Sequence, residues 1–271
     1  MNRIDITFKK LKEKGESALV GFVTAGDPDY STSLEIIQTM CASGLDVLEL
    51  GIPFSDPTAD GPLIQRSSAR SLENGPDLKS VLSMTGGLRK TTDIPIILFS
   101  YYNPILAYGP KAFYDQAVTA GADGVLVVDL PPEESDEMTE LWPGDKLSLI
   151  RLVAPTTPRE RMAYIANTAA GFLYLVSKTG VTGSDGLDLT AVAANTAVLK
   201  SISSLPVCVG FGISTPEDVA SIAATADGVV IGSAFEKIIE DNLENPDLVT
   251  MMGATVRDLK AATVKGGTSL N

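Results

Sequence analysis

Eight short apolar runs recur along the chain, at 18–23, 47–51, 95–100, 124–130, 147–153, 172–176, 206–210 and 228–231. Most are continuous rather than alternating, the pattern of parallel strands covered on both faces. Between them lie stretches with helical spacing, such as Leu34, Ile37 and Cys41, or the segment from Leu248 to Val264. Several helix starts are marked by a polar cap followed by proline and acid: Thr157-Pro158-Arg159-Glu160, Thr215-Pro216-Glu217 and Asn245-Pro246-Asp247. Eight strand-then-helix units in 271 residues predict an α/β protein, a (β/α)8 TIM barrel, over a doubly wound sheet, which normally has fewer strands.

The segment from Arg3 to Glu13 reads as an extra N-terminal helix before the first strand. No Pro/Ser-rich linker or block of like charge interrupts the pattern, so residues 1–265 are expected to form a single domain and residues 266–271 a disordered tail. The amino end carries Arg3, Asp5, Lys9 and Lys10 and lacks the apolar core of a signal peptide. No later stretch is long and apolar enough to span a bilayer, and a cytoplasmic location is expected.

Composition narrows the chemistry. There is no histidine, which removes the usual general base, the Ser-His-Asp triad and nearly every common zinc site. Proton transfer then falls to Asp, Glu, Lys, Tyr or Cys. Cys41 and Cys208 lie in a predicted helix and a predicted strand, where a free thiol usually packs as a small apolar residue. A net charge of -13 repels nucleic acid and anionic membrane surfaces. A phosphate ester would therefore have to be held by backbone N–H groups and helix N-termini.

In a barrel the reactive groups gather at the carboxyl ends of the strands. In Val47-Leu48-Glu49-Leu50-Gly51, period-two alternation puts Glu49 on the face opposite the leucines, pointing into the barrel if they pack on helices. A carboxylate there loses hydration, which raises its pKa and suits it to proton exchange near neutral pH. The structural alternative is a buried ion pair, with Arg151 of the fifth predicted strand as one candidate partner. The loop from Ile52 to Pro62 is stiffened by proline and contains Asp56 and Asp60; spacing alone does not choose between them, and both could simply cap turns. Glycines cluster after the last three strands, in Gly180-Val181-Thr182-Gly183, Gly210-Phe211-Gly212-Ile213-Ser214 and Gly232-Ser233. Each alone reads as a turn, but together, with two of them in the loops after strands seven and eight, they point to a phosphate site.

The run Glu49-Leu50-Gly51-Ile52-Pro53-Phe54-Ser55-Asp56-Pro57 with Ala59-Asp60-Gly61-Pro62 closely resembles the signature of the tryptophan synthase alpha subunit family. The resemblance extends to Thr24-Ala25-Gly26-Asp27-Pro28, Tyr101-Tyr102-Asn103-Pro104, Asp129-Leu130-Pro131 and the three glycine clusters, nearly the whole chain. It implies a carbon-carbon lyase that splits indole-3-glycerol phosphate into indole and glyceraldehyde 3-phosphate without a cofactor, pyridoxal phosphate belonging to the beta partner of an alpha2beta2 heterotetramer. By the same resemblance Glu49 transfers both protons and Asp60 accepts the ring N–H. Phe22, Tyr101, Tyr174 and Phe211 line the indole pocket, Thr182 positions its loop against Asp60, and Gly183, Gly212, Gly232 and Ser233 bind phosphate. Thr58 and the short stretch Ser184-Asp185-Gly186-Leu187 depart from the family pattern in loops that close over substrate and touch the beta subunit. The rival readings are another phosphate-binding barrel enzyme, a free-standing lyase, and a non-catalytic activator of a beta subunit.

Overall fold

The computed structural model describes residues 2–177 and 188–264. The chain begins with α1 (Arg3–Lys14), β1 (Ala18–Thr24), α2 (Tyr30–Ala42) and β2 (Val47–Gly51). Then come α3 (Pro62–Glu73), α4 (Leu78–Leu88), β3 (Ile96–Ser100), α5 (Tyr102–Tyr108), α6 (Pro110–Ala120) and β4 (Gly124–Val127). The middle continues through α7 (Asp136–Thr139), β5 (Ser148–Val153), α8 (Arg159–Asn167) and β6 (Leu173–Val176). The last part holds α9 (Leu189–Ile202), β7 (Val207–Gly210), α10 (Pro216–Ala223), β8 (Gly228–Ile231), α11 (Ser233–Asp241) and α12 (Leu248–Ala261). The strands are parallel and pair in sequence order, with β8 closing on β1, so the sheet is a closed eight-stranded barrel. The architecture is the (β/α)8 TIM barrel.

Two apolar layers follow from the alternation within each strand. In β1, Ala18, Val20 and Phe22 point into the barrel, whereas Leu19 and Val23 join the outer shell beneath the helices. Both layers are dry, which is why the strands read as unbroken apolar runs. Ile4, Phe8 and Leu11 of α1 belong to the inner layer, with Phe8 stacked against Phe172 at 5.8 Å, so the extra helix closes the end of the barrel that faces away from the strands' carboxyl termini. An Asn2–Asp5 capping box starts α1 and Gly15, with φ 70°, ends it.

The described residues hold more helices than one per strand, because glycine and proline split what periodicity joins. Gly109, at φ 95° before Pro110, separates α5 from α6, and Gly75 at φ 78° before Pro76 separates α3 from α4. The fourth run ends as a strand at Val127, short of Leu130, where the chain turns so that Asp129 accepts the N–H of Tyr102 at the start of α5, 2.7 Å away. The proposed tail lies outside the described residues.

Candidate active site

The carboxyl ends of the strands open onto a cavity of about 720 Å³, within the range of small-molecule sites. Glu49 lies in its wall. The register of β2 explains the placement, since Leu48 and Leu50 are packed in the outer shell and Glu49 is left on the inner face. Glu49 is 1% exposed, neither carboxyl oxygen has a hydrogen-bond partner among the described residues, and burial alone pushes it up to about 8. At neutral pH Glu49 holds its proton.

Arg151 does not neutralise it. In β5, Ile150 and Leu152 face the barrel interior, which turns Arg151 outward under the β4–α7 connection. There its guanidinium donates to Ser135 Oγ at 2.6 Å and to the Leu130 carbonyl at 3.4 Å. The alternative of a buried Glu49–Arg151 pair, left open by the sequence, falls to strand alternation: one position along a strand is the opposite face.

Asp60 lines the same cavity, whereas Asp56 is exposed and accepts only its neighbour Ser55 at 2.6 Å. The structure thus separates two acids that spacing could not. The Tyr101 hydroxyl brackets the loop, donating to Asp60 Oδ2 at 3.0 Å while accepting the N–H of Ala59 at 2.9 Å. Desolvation raises Asp60 to about 6 against the downward pull of the Tyr101 hydrogen bond, so Asp60 is largely ionised at pH 7. One carboxyl that keeps its proton and one that has lost it share one cavity.

Phe22, Tyr174 and Phe211 also line the cavity. Phe22 packs edge-on against Phe99 at 5.0 Å, and Tyr174 against Phe211 at 5.9 Å. Tyr101 stands one layer back, in an adjoining recess with Phe54 and Asp60, and reaches the cavity through Asp60. Much of the remaining wall is apolar and includes Leu63, Ile64, Phe99, Val128, Leu152, Val176, Ile213 and Val230. Sequence reasoning did not single these out, although the inward period of β3 and β5 carries Phe99 and Leu152.

Gly212, Gly232 and Ser233 are also part of the lining, in the turns that follow the paired strands β7 and β8. Gly210 sits so close to β6 that a Cβ there would come 2.2 Å from the Tyr174 hydroxyl. The next residue, Phe211, takes φ 80°, a left-handed conformation rare for an aromatic residue, and the Ser177 hydroxyl donates to the Gly210 and Phe211 carbonyls. Among the described residues no side chain caps the first turn of α11, whose opening residues Gly232 and Ser233 line the cavity. Thr182, Gly183 and the stretch Ser184-Asp185-Gly186-Leu187 lie outside the described residues. Thr58 is exposed in the β2–α3 loop. Among the described residues no group of three or more His, Cys, Asp or Glu could hold a metal ion, and no helix is long and apolar enough to cross a membrane.

Comparison with known proteins converges on one family. The model of the tryptophan synthase alpha chain matches residues 8–264. The tryptophan synthase alpha chains of Desulfatibacillum aliphaticivorans and Desulfosudis oleivorans are 63% and 62% identical, each over 97% of this chain and 99% of the relative. The crystal structure of tryptophan synthase subunit alpha from Legionella pneumophila superposes with a TM-score of 0.89 at 43% identity, over 97% of this chain and 98% of that one. A chain of Mycobacterium tuberculosis tryptophan synthase does so at 0.89 and 30% identity, over 98% and 99%. With a matching family model over nearly its whole length and relatives this similar, the chain belongs to the tryptophan synthase alpha chain family.

Proposed function

We propose that Glu49 and Asp60 carry out the family's alpha reaction in this chain, with the phosphate of the substrate held at Gly212, Gly232 and Ser233. The reaction is the retro-aldol cleavage of indole-3-glycerol phosphate to indole and glyceraldehyde 3-phosphate, a carbon-carbon lyase step of tryptophan biosynthesis. The family uses no cofactor of its own; pyridoxal phosphate belongs to the beta chain, with which the alpha chain works in an alpha2beta2 complex.

The single observation that carries the assignment is the buried, unpartnered carboxyl of Glu49 in the wall of a largely apolar cavity. Holding its proton at neutral pH, it can protonate carbon 3 of the indole and generate a cationic indoleninium. The carboxylate so formed then takes the proton of the adjacent glycerol hydroxyl as the carbon-carbon bond breaks, and the acid is regenerated. Asp60, ionised, accepts the ring N–H and stabilises the developing positive charge. Phe22, Tyr174 and Phe211 supply a surface for the indole, Tyr101 holds Asp60 in place, and Thr182 and Gly183 complete the assignment for the ring and phosphate ends.

The uncapped N-terminus of α11 supports the phosphate assignment, because a net-acidic protein needs local partial positive charge to hold an anion. Residues 1–265 are read as one domain and the location as cytoplasmic, the family being biosynthetic. The test is release of free indole from indole-3-glycerol phosphate by the purified chain, alone and with a beta subunit. Glu49→Gln should lower that rate by roughly 10²–10⁴-fold, the range for loss of a positioned acid–base group, while phosphate-ligand binding and the circular dichroism spectrum stay unchanged. Full turnover by the variant would remove Glu49 from the proton transfers.

A further inference from the structure

A second carboxyl is fully buried in this molecule, and the reaction as written makes no use of it. Glu236 lies on α11, one turn past Ser233. Its Oε1 accepts the N–H of Thr24 at 2.6 Å, while Oε2 has no hydrogen-bond partner among the described residues. Asp27, in the turn after β1 and equally dry, is the charged group that acts on the Glu236 carboxyl. Asp27 takes a bidentate pair from Arg70 of α3, with Nε to Oδ1 at 2.9 Å and Nη2 to Oδ2 at 2.8 Å. Arg70 Nη1 continues to Glu240 of α11 at 2.9 Å, and Arg66 meets the same Glu240 at 2.8 Å.

Among the described residues, the charged groups that meet here from every packed element are therefore Asp27, Glu236, Glu240, Arg66 and Arg70. Two guanidiniums balance two carboxylates, and Glu236 is the odd member. Ionised, it would face Asp27 as a like charge without water; neutral, its O–H satisfies the vacant oxygen by donating to Asp27. Burial, and then the Asp27 charge, both push the Glu236 carboxyl well above the ordinary range. Thr24 lies two residues beyond Phe22, and its hydroxyl pairs with Ser67 of α3 at 2.7 Å. The bridge thus reaches from α11, which starts at Ser233, to the end of β1 and to the helix that follows the Asp60 loop.

We propose that Glu236 is a positioning residue: as the neutral acid it bridges Thr24 and Asp27, and so holds the phosphate-presenting end of α11 in register with β1 and α3. The inference rests on the placement of phosphate at Gly232 and Ser233. Loss of the Glu236 proton sets two carboxylates against each other and loosens the anion site, leaving Glu49 and its proton transfers in place.

The experiment compares KM and kcat for indole-3-glycerol phosphate from about pH 6 to about pH 9, a span that covers a carboxyl raised by burial, in wild type, Glu236→Gln and Glu236→Leu. Calorimetric titration of sn-glycerol 3-phosphate runs beside it. The Gln amide offers the same acceptor and donor at every pH, so its KM should lack the alkaline rise of wild type. The Leu variant should raise KM about tenfold at neutral pH with kcat little changed, the scale of one lost hydrogen bond to a buried partner. Coincident KM profiles for wild type and Glu236→Gln, or a Gln variant as impaired as the Leu variant, overturn the proposal. Should the Leu variant fail to fold, the wild-type and Gln pair still decides. If wild type releases no indole, the assigned reaction falls, and affinity for sn-glycerol 3-phosphate decides the role of Glu236 by the same comparison; failure of wild type to bind it overturns the proposal.

Discussion

Glu49 sits in a dry wall with no donor for either oxygen among the described residues, and its raised pKa links the fold to pH. Its folded value of about 8 exceeds the ordinary 4.5, so its contribution to stability is complete below 4.5 and is lost as pH rises through about 8. Wild type should therefore lose several kcal/mol relative to Glu49→Gln across that window, read as diverging thermal melts; parallel melts would mean that the carboxyl is hydrated or paired. Asp60 sets the opposite limb. In the proposed reaction it must be ionised to accept the ring N–H, so kcat/KM should fall below about pH 6. Tyr101→Phe removes the hydrogen bond that holds Asp60 down, moves this limb to higher pH and lowers kcat/KM near its midpoint by about tenfold, the effect of one hydrogen bond to a charged group. An unmoved acid limb would show that Tyr101 does not set the state of Asp60.

At the scale of elements, the barrel leaves little slack between neighbouring strands. Gly210→Ala would drive a methyl into the Tyr174 hydroxyl, and overpacking of this kind costs about 1–3 kcal/mol. The variant should melt earlier and bind substrate less well, because β6 and β7 both deliver cavity residues; an unchanged melt would mean that Tyr174 swings aside freely. The join of α3 and α11 is polar instead. Arg70→Ala strands the Asp27 carboxylate in a dry site and should destabilise the protein by about 3 kcal/mol, measured by denaturant unfolding. A loss of a few tenths would mean that water replaces the guanidinium. The alternation that placed Glu49 was legible in β2 because both flanking residues are leucines. The same rule left Arg151 open, since Leu149, Ile150, Leu152 and Val153 around it are apolar on both faces and show no preferred side. Nothing in the helical pattern of α11 marks Glu236 as inward, because an acid on a helix is ordinarily read as part of its solvated face.

For the whole molecule, a net charge of -13 gives no long-range attraction for an anionic substrate, so in the proposed assignment capture depends on the few backbone groups around Gly212, Gly232 and Ser233. Raising ionic strength should then change KM only slightly, since short-range hydrogen bonds are little screened; a KM that falls steeply with salt would show that the overall field repels substrate at the mouth. Mixing with a tryptophan synthase beta subunit should produce a species of alpha2beta2 mass by light scattering and a faster release of indole. Separate masses and an unchanged rate would identify a chain that has left the complex.

The chain alone determined the barrel, the inward acid of β2 and the helix that precedes β1, because these rest on local periodicities of two and of 3.6 residues, which any stretch of sequence displays. Family resemblance on the residues from Glu49 to Pro62 added the reaction. Only the tertiary structure decided that Asp60 lines the cavity while Asp56 stays exposed, that Tyr101 holds Asp60 from an adjoining recess, that Arg151 points away, and that Glu236 meets Thr24. These depend on which loops and faces are brought together across the closed sheet, over separations as long as the 212 residues between Thr24 and Glu236. Burial strips water from such meetings, and dehydration is what turns an ordinary carboxyl into one that keeps its proton at neutral pH.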